Sequence, residues 1–425
     1  MKFAHLADVH LGCWKDSSMN ELGTKTLEAV MRKVLEDQVD FILISGDLFD
    51  SSYPPINVLK ETARILRHVR EKGIPIYIVA GSHDYSPTEK TILKVFEEAD
   101  LLVDVYKASD SEDGKIKLTF TVDERTGAKI TGILGRIRGT DVELYRELER
   151  ESLKKEKGFK IFILHNFISE LKTKETQNYD SFPKSLLPEG FNYYAGGHLH
   201  IPTPESMRKG PLKSTSPIIY PGCLFPTDFG ELESGIFGGY CIVEPTQNEG
   251  VLVQWREVHL IDVLPLHLSA QGKPLKAVQE ELKGLLKTKD MKGKIVTLRV
   301  DGEMSSGSPA DIDFRELTEL AFKREVVNFF RNTQQLTSKE SVVIQPAIGF
   351  TRAEIEAKVI RENLGQVKVT AWDKETEERV IKDLLEKCSQ RRGGDQKVKD
   401  YDAEKLDLFL KVLGIKQIWE EYNEG

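Results

Sequence analysis

A layered α/β domain, followed by a smaller α/β unit and a helical tail, is the organisation that three observations in the sequence predict. Short β-branched strands alternate with helical stretches from residue 1 to about 245. The texture changes between about 245 and 270, where a turn-rich stretch interrupts the alternation. The last part of the chain carries apolar residues at helical rather than strand spacing.

Taken in order, the spacing predicts a strand at 2–7, a helix at 21–36, a strand at 41–45, a helix at 55–72 and a strand at 75–80. The acidic "SDSEDGK" at 109–115 reads as a hairpin turn or loop. After the turn "EPTQNEG", "VLVQWREVHL" reads as a strand that leads out of the first core. A smaller α/β unit follows, with a helix in "PLKAVQEELKGLL", a strand in "KIVTLRV", a helix after "SPADIDF" and a strand near "VVNFF". Thr351 to Glu354 fits a capping box that opens "AEIEAKVIRENL". In "ETEERVIKDLLEKCS", Val380, Ile381, Leu384, Leu385 and Cys388 form one apolar stripe. A polar hinge, "QRRGGDQKVKDYD", precedes a last apolar helix in "EKLDLFLKVLG". The expected units are 1–245, 246–345 and 346–425.

Composition excludes some classes. No apolar run, not even "FKIFILHNF", approaches the roughly 20 residues that cross a bilayer. The opening "MKFAHLADVH" is broken by an aspartate and two histidines and does not read as a signal peptide, so a cytoplasmic protein is expected. Cysteines 13, 223, 241 and 388 lack zinc-site spacing and are expected to be free thiols. The net charge of −8 argues only weakly against a nucleic-acid partner, because bound metal ions can supply positive charge where phosphate sits.

Five segments share one grammar: an apolar strand ends and metal-type side chains follow at once. They are "FAHLADVH" with Asp8 and His10, "FILISGDLFD" with Asp47, "IYIVAGSHD" with Ser82 and His83, "KIFILHNF" with His165, and "YYAGGHLH" with His198 and His200. Ligands of open α/β sheets gather at the carboxyl ends of strands, so five such ends can face one site. In D-x-H and H-x-H an extended backbone turns both side chains the same way. The glycines of "SGD", "AGS" and "GGH" let the backbone come close. Two carboxylates and four histidines exceed what one ion needs; two ions of the Mn²⁺, Fe²⁺ or Zn²⁺ type, bridged by a carboxylate, are the economical reading. A lone histidine at a strand end is ordinary, and His5, His68, His259 and His267 are read as core or surface residues.

The ordered set D-x-H, G-D, G-S-H-D, H and G-H-x-H resembles the calcineurin-like metallophosphoesterase superfamily across about the first 230 residues. Within it, "MKFAHLADVHLG", "SGDLFD" and "YPGCLFPTDFGE" resemble the DNA double-strand-break repair nuclease subunits of the meiotic recombination eleven (SbcD-like) family. "LRVDGEMSSGSPADIDF" is similar to the small capping domain of its archaeal members. The resemblance implies an α/β fold: a β-sandwich flanked by helices, a small α/β DNA-binding cap, and C-terminal helices that bind a Rad-fifty or SbcC type ATPase. It implies two Mn²⁺ ions, one held by Asp8, His10 and His200, the other by His165 and His198, with Asp47 bridging. His83 would stabilise the phosphate in the transition state or protonate the leaving oxygen, with Asp84 either orienting that ring or serving as a turn carboxylate.

This chain departs from the pattern at two positions. Ser82 stands where the family has an asparagine ligand, and a hydroxyl is the shorter and weaker donor. Asp50 stands where several members carry a histidine near DNA. Arg136 and Arg138 follow a strand and are candidates for phosphate contacts. DNA ends, the ATPase and a second copy of the chain, with helix 55–72 as a candidate dimer surface, are the implied partners. The implied activities are 3′ to 5′ exonuclease and single-strand endonuclease. A phosphodiesterase or phosphatase for nucleotides or other small phosphoesters is the enzymatic alternative. A scaffold that merely keeps the fold is disfavoured by the complete set of ionic ligands.

Overall fold

The computed structural model describes residues 1–339, apart from 87–90, 112, 137–139, 175, 236–237 and 248–249, and then 360, 373–389, 398–413 and 416. The chain packs as two compact units, one comprising Met1–Met304 with Pro309–Leu336, the other Ser305–Ser308 with Thr337–Gly425.

In the first unit two sheets stack face to face with helices outside them. One sheet has seven strands, and its parallel centre runs Phe3–Leu6, Phe41–Ser45, Ile76–Val79 and Val103–Asp104. The other has five strands, with Lys129–Ile133, Lys160–Leu164, Tyr193–Gly196 and Ile218–Ile219 all parallel. Strand alternation builds the layers. Phe3, Phe41, Leu43 and Val79 point between the sheets and meet Ile161, Ile163, Tyr193 and Ala195 of the opposing one. Ala4, Leu6, Ile42 and Ile44 point outward, beneath helices Ser17–Glu36 and Ile56–Glu71.

The helices follow from their sequences. Asp16 caps the first, accepting from the Ser18 and Met19 amides at 2.9 and 3.1 Å. The second buries Val58, Thr62, Ile65, Leu66 and Val69, a stripe at three- and four-residue intervals. Its observed bounds, and those of the strands, fall within a few residues of the sequence expectation.

Strand Val251–Glu257 differs from its sequence reading. It does not lead out of the first core but pairs antiparallel with Gly239–Pro245 and with Leu212–Ser214, burying Val251 and Val253 between the sheets. The chain leaves that core only after it. Strands Val263–Ser269, Ile295–Met304 and Asn328–Asn332 then form a separate parallel sheet, called the cap sheet for its place in the expected 246–345 unit. Helices Leu275–Thr288 and Phe314–Phe322 cover it, packing Val278, Leu282, Leu286 and Leu317 on Val296, Leu298 and Val300. A second apolar cluster joins Met19, Phe225 and Leu232 to Ile295 of the cap sheet.

In the second unit helices Lys374–Ser389 and Val398–Leu413 are described, with Val380 and Leu410 buried and Leu385 and Leu406 each 46% exposed. The Thr351–Glu354 capping box and most of the polar hinge lie outside the described residues. Among the described residues no helix is long and apolar enough to cross a membrane, and Cys13, Cys223 and Cys241 are free thiols.

Candidate metal centre

Both sheets are parallel where it matters, so the carboxyl ends of five strands open on one side of the sandwich. Asp8, His10 and His200 present ligand atoms within 4.8 Å of one another, and so do Asp8, Asp47 and His165. Asp47 stands between the groups: its Oδ2 lies 3.0 Å from His165 Nε2 and 3.6 Å from His10 Nε2. The His198 ring packs edge-on against His165 with centroids 5.3 Å apart, and Ser82 Oγ reaches to 3.5 Å from Asp47 Oδ2. The predicted ligands Asp8, His10, Asp47, Ser82, His165, His198 and His200 are thus brought into one cluster.

The backbone is strained to achieve this. Asp8, His10, Asp47 and His198 have φ of 50°, 46°, 51° and 83°, in the left-handed region that side chains ordinarily avoid. Flanking hydrogen bonds hold it there. The Asp47 carbonyl accepts from the Val9 and His10 amides at 2.9 and 3.0 Å, and Asp8 Oδ1 accepts from the His198 amide at 2.8 Å. Gly81 permits a close approach, since a Cβ there would lie 2.2 Å from Asp47 Oδ1.

Three of the imidazoles have a partner behind them that fixes which nitrogen faces inward. His165 Nδ1 donates to the Ser45 carbonyl at 2.8 Å, His10 Nδ1 to Asp50 Oδ1 at 3.1 Å, and His200 Nδ1 to Glu231 Oε1 at 2.6 Å. All three Nε2 atoms therefore face the cluster. Two of them, on His10 and His200, lie 3.0 Å apart, and lone pairs so close repel unless a cation or proton lies by them. Asp8 Oδ2 is buried without a hydrogen-bond partner, and His165 Nε2, 3.0 Å from Asp47 Oδ2, pairs with it as an ion pair rather than a well-aligned hydrogen bond.

The electrostatics point the same way. Burial favours a neutral His165 ring, but Asp47 and then Asp8 outweigh it and push the ring up to about 10. At His200 burial is likewise overridden, by Glu231 and Asp8, and the ring rises to about 9. Against the opposing cost of burial, His200 and Thr227 hold the Glu231 carboxyl down to about 2. The carboxylates attract whatever positive charge is at hand, and divalent ions can take the place of those protons. His198 is the exception, as burial and the neighbouring His165 push it down to about 4, leaving a neutral ring with a lone pair to give. Nitrogen and oxygen donors in this mixture fit a pair of divalent ions.

Arg136 borders the cluster, and His83 stands at its edge, with a ring nitrogen within 4.8 Å of ligand atoms of His10 and Asp50. Arg136 and His83 line a cleft of about 640 Å³ with Tyr85, Asn166, Phe182 and His198. His83 Nδ1 donates to the Asp50 carbonyl at 2.9 Å, which leaves Nε2 for the cleft, and its ring meets His10 at 4.8 Å. The Arg136 guanidinium lies 5.6 Å from the Tyr85 ring centroid. Arg138 lies outside the described residues.

Of the two roles considered for Asp84, the turn carboxylate is the one found. It does not orient His83: its two oxygens accept from the amides of Leu48, Phe49 and Gly81 at 3.0 to 3.1 Å. Burial and Asp47 push it up to about 6. It ties two of the strand ends together. His5 is a core residue, between Tyr193 Oη at 2.9 Å and Ser45 Oγ at 2.8 Å. His259 and His267 pair with Asp262 and Asp301 at the surface, each at 2.7 Å. Asp50 and Glu231 were not assigned from the sequence as orienting groups. Glu231 is 31 residues beyond His200, with no spacing rule to connect them.

Residues 1–202 match the calcineurin-like phosphoesterase family. Among curated proteins the chain is similar to the DNA double-strand break repair protein Mre11 of Archaeoglobus fulgidus, 25% identical over 427 residues that cover 95% of this chain and 90% of that one. The Mre11 of Methanopyrus kandleri is 29% identical over 62% of this chain and 59% of its own length, and that of Methanococcus maripaludis 33% identical over 47% and 52%. In these last two cases the match spans little more than half of the relative.

Proposed function

We propose that the chain, whose residues 1–202 match the calcineurin-like phosphoesterase family, is a metal-dependent phosphodiesterase and, more narrowly, a nuclease processing DNA double-strand break ends. The observation that carries the reading is the convergence of five strand ends on one buried cluster of carboxylate and imidazole atoms within ligand distance of one another.

In this reading Asp8, His10 and His200 hold one Mn²⁺, His165 and His198 with the weaker donor Ser82 hold the second, and Asp47 lies between. When bound, such an ion pair activates water for in-line attack on phosphorus and neutralises the phosphate oxygens. The chain's own residues do the rest. Ser45, Asp50 and Glu231 keep the imidazoles aimed. His83, with Nδ1–H committed to the Asp50 carbonyl, turns Nε2 to the departing oxygen and, as the imidazolium with a second proton on Nε2, would hand that proton over and return to the neutral ring. Arg136, at the cleft wall, and Arg138 take phosphate contacts, which position DNA without reading its sequence.

The reading extends to 3′ to 5′ exonuclease and single-strand endonuclease activity, with 1–245 together with strand Val251–Glu257 as the nuclease, the remainder of 246–345 as the cap and 346–425 as the segment for a coiled-coil ATPase of the Rad-fifty or SbcC type. The exposed Leu385 and Leu406 support an apolar partner for the helical segment. Tyr53 and Ile56, 72% and 84% exposed at the start of helix Ile56–Glu71, support a homodimer there.

The test is cleavage of labelled duplex and single-stranded DNA, beside a chromogenic phosphodiester, in Mn²⁺ or Mg²⁺ and with a His83→Ala variant. Mn²⁺-dependent DNA cutting that falls about 10²-fold or more in the variant is expected. Hydrolysis of the small ester alone would move the substrate to nucleotides or other small phosphoesters. Deleting 351–425 is expected to abolish co-purification with the ATPase and leave cutting intact.

A further inference from the structure

The short helix Phe229–Ser234 lies between His200 and the cap sheet, and two of its glutamates face opposite ways. At 3.6 residues per turn, side chains two positions apart point about 200° from one another around the axis. Glu231 turns toward the metal centre. One of its oxygens holds His200 Nδ1 at 2.6 Å, and the other accepts from the Thr227 amide and hydroxyl at 2.6 and 2.9 Å. Glu233 turns to the cap and receives a forked contact from Arg299, with Nε at 2.8 and 2.9 Å from its two oxygens and a terminal nitrogen at 2.6 Å. The same guanidinium lies 5.5 Å from the ring centroid of Phe229.

Strand alternation explains how Arg299 reaches the helix. In Ile295–Met304, Val296, Leu298 and Val300 point to the cap's own helices, so Ile295 and Arg299 share the opposite face. Ile295 packs there against Leu232, the residue between the two glutamates. A helix of six residues has little stiffness of its own and takes its position from what grips it. The forked geometry makes that grip directional, which an ammonium in place of the guanidinium would not.

We propose that Arg299 is a positioning residue of the metal centre: through Glu233 and the Phe229–Ser234 helix it sets Glu231, and thereby the direction of His200. The cap sheet is then a working part of the metal site as well as a neighbour of it. This rests on reading Asp8, His10 and His200 as metal ligands. Removing the group directly behind a ligating imidazole ordinarily costs about 10- to 100-fold in metal affinity, so a residue one step further back is expected to cost roughly 3- to 10-fold.

The test is Mn²⁺ titration of the full chain, followed by electron paramagnetic resonance, with the thermal midpoint of the metal-free protein measured beside it. Arg299→Met is expected to weaken Mn²⁺ binding by roughly 3- to 10-fold, and the exchange Glu233→Arg with Arg299→Glu to restore it to within about 2-fold. Arg315→Met, which removes an exposed cap arginine paired with Glu319, is expected to leave binding unchanged. Should Arg299→Met fail to fold, Arg299→Lys, which keeps the charge and loses the fork, carries the same prediction. Wild-type affinity in the Arg299 variant, a lowered midpoint without lowered affinity, or an exchange that restores nothing would overturn the proposal. A wild-type chain that binds no Mn²⁺ would overturn the metal-centre reading beneath it, and the two failures are distinct.

Discussion

Replacing Gly81 by alanine puts the close packing of the strand ends to a quantitative test. A Cβ at this position would lie 2.2 Å from Asp47 Oδ1 and 2.3 Å from the Asp47 backbone nitrogen. Relieving the second contact to an ordinary 3.4 Å moves one backbone or the other by about 1 Å. Asp47 cannot move alone, because its carbonyl holds the Val9 and His10 amides and its Oδ1 holds the His83 amide at 2.8 Å. Gly81 is tethered as well, through its amide to Asp84 at 3.1 Å. A misplacement of about 1 Å among catalytic groups costs on the order of 10²-fold, or about 2.7 kcal/mol of transition-state stabilisation. Overpacking costs a further 1–3 kcal/mol or so of stability, so circular dichroism must show the variant folded at the assay temperature. The assay is kcat/KM on a labelled duplex in Mn²⁺, with Mn²⁺ affinity measured in parallel. Gly284→Ala, in helix Leu275–Thr288 where an added Cβ meets nothing within 4 Å, is the neutral control. Wild-type activity and affinity in Gly81→Ala would refute the argument that this glycine is there to admit Asp47.

Other expectations follow from single contacts. Asp50→Ala removes the carboxylate behind His10 and is expected to weaken Mn²⁺ binding by about 10- to 100-fold by calorimetry; unchanged binding would show that His10 needs no orienting partner. Ser82→Asn extends a donor toward the second ion and is expected to tighten it, whereas unchanged Mn²⁺ dependence would mean that the hydroxyl already serves. Burial pushes His5 from 6.5 down to about 3, so the folded chain declines a proton that the unfolded chain accepts. Its contribution to stability is therefore whole above about pH 6.5 and lost as pH falls toward 3, at about 1.4 kcal/mol per unit. Urea unfolding of the metal-free protein should show its advantage over His5→Gln shrinking between pH 6.5 and 5, and a constant gap would show that the buried ring takes up the proton.

The candidate ligands are legible because their chemistry sits at the ends of apolar runs, where a parallel sheet must deliver it to one side. What lies behind them is not. Glu231 reaches His200 only after the chain has turned through Thr227 and Asp228, and Ser45 acts through its carbonyl, an atom every residue has. Asp84 sits next to a catalytic candidate, and sequence adjacency suggested a shared task. Its side chain points the other way, into three amides that would otherwise be buried without acceptors. The strand Val251–Glu257 was correctly seen as a strand but placed outside the first core, since alternation tells which residues face inward and not which strand lies alongside. Arg299 lies on a predicted strand with no sequence signal for its task, and its partner Glu233, 66 residues earlier, is visible only with the Phe229–Ser234 helix in place.

The claim on which the rest depends is that the converging strand ends hold two divalent ions. Diffraction from crystals soaked in Mn²⁺, collected at the manganese edge, tests it without recourse to activity. Two anomalous peaks are expected roughly 3.5–4 Å apart, one against Asp8, His10 and His200, the other against His165 and His198, with Asp47 touching both. A single peak, or none within reach of Asp47, would contradict it.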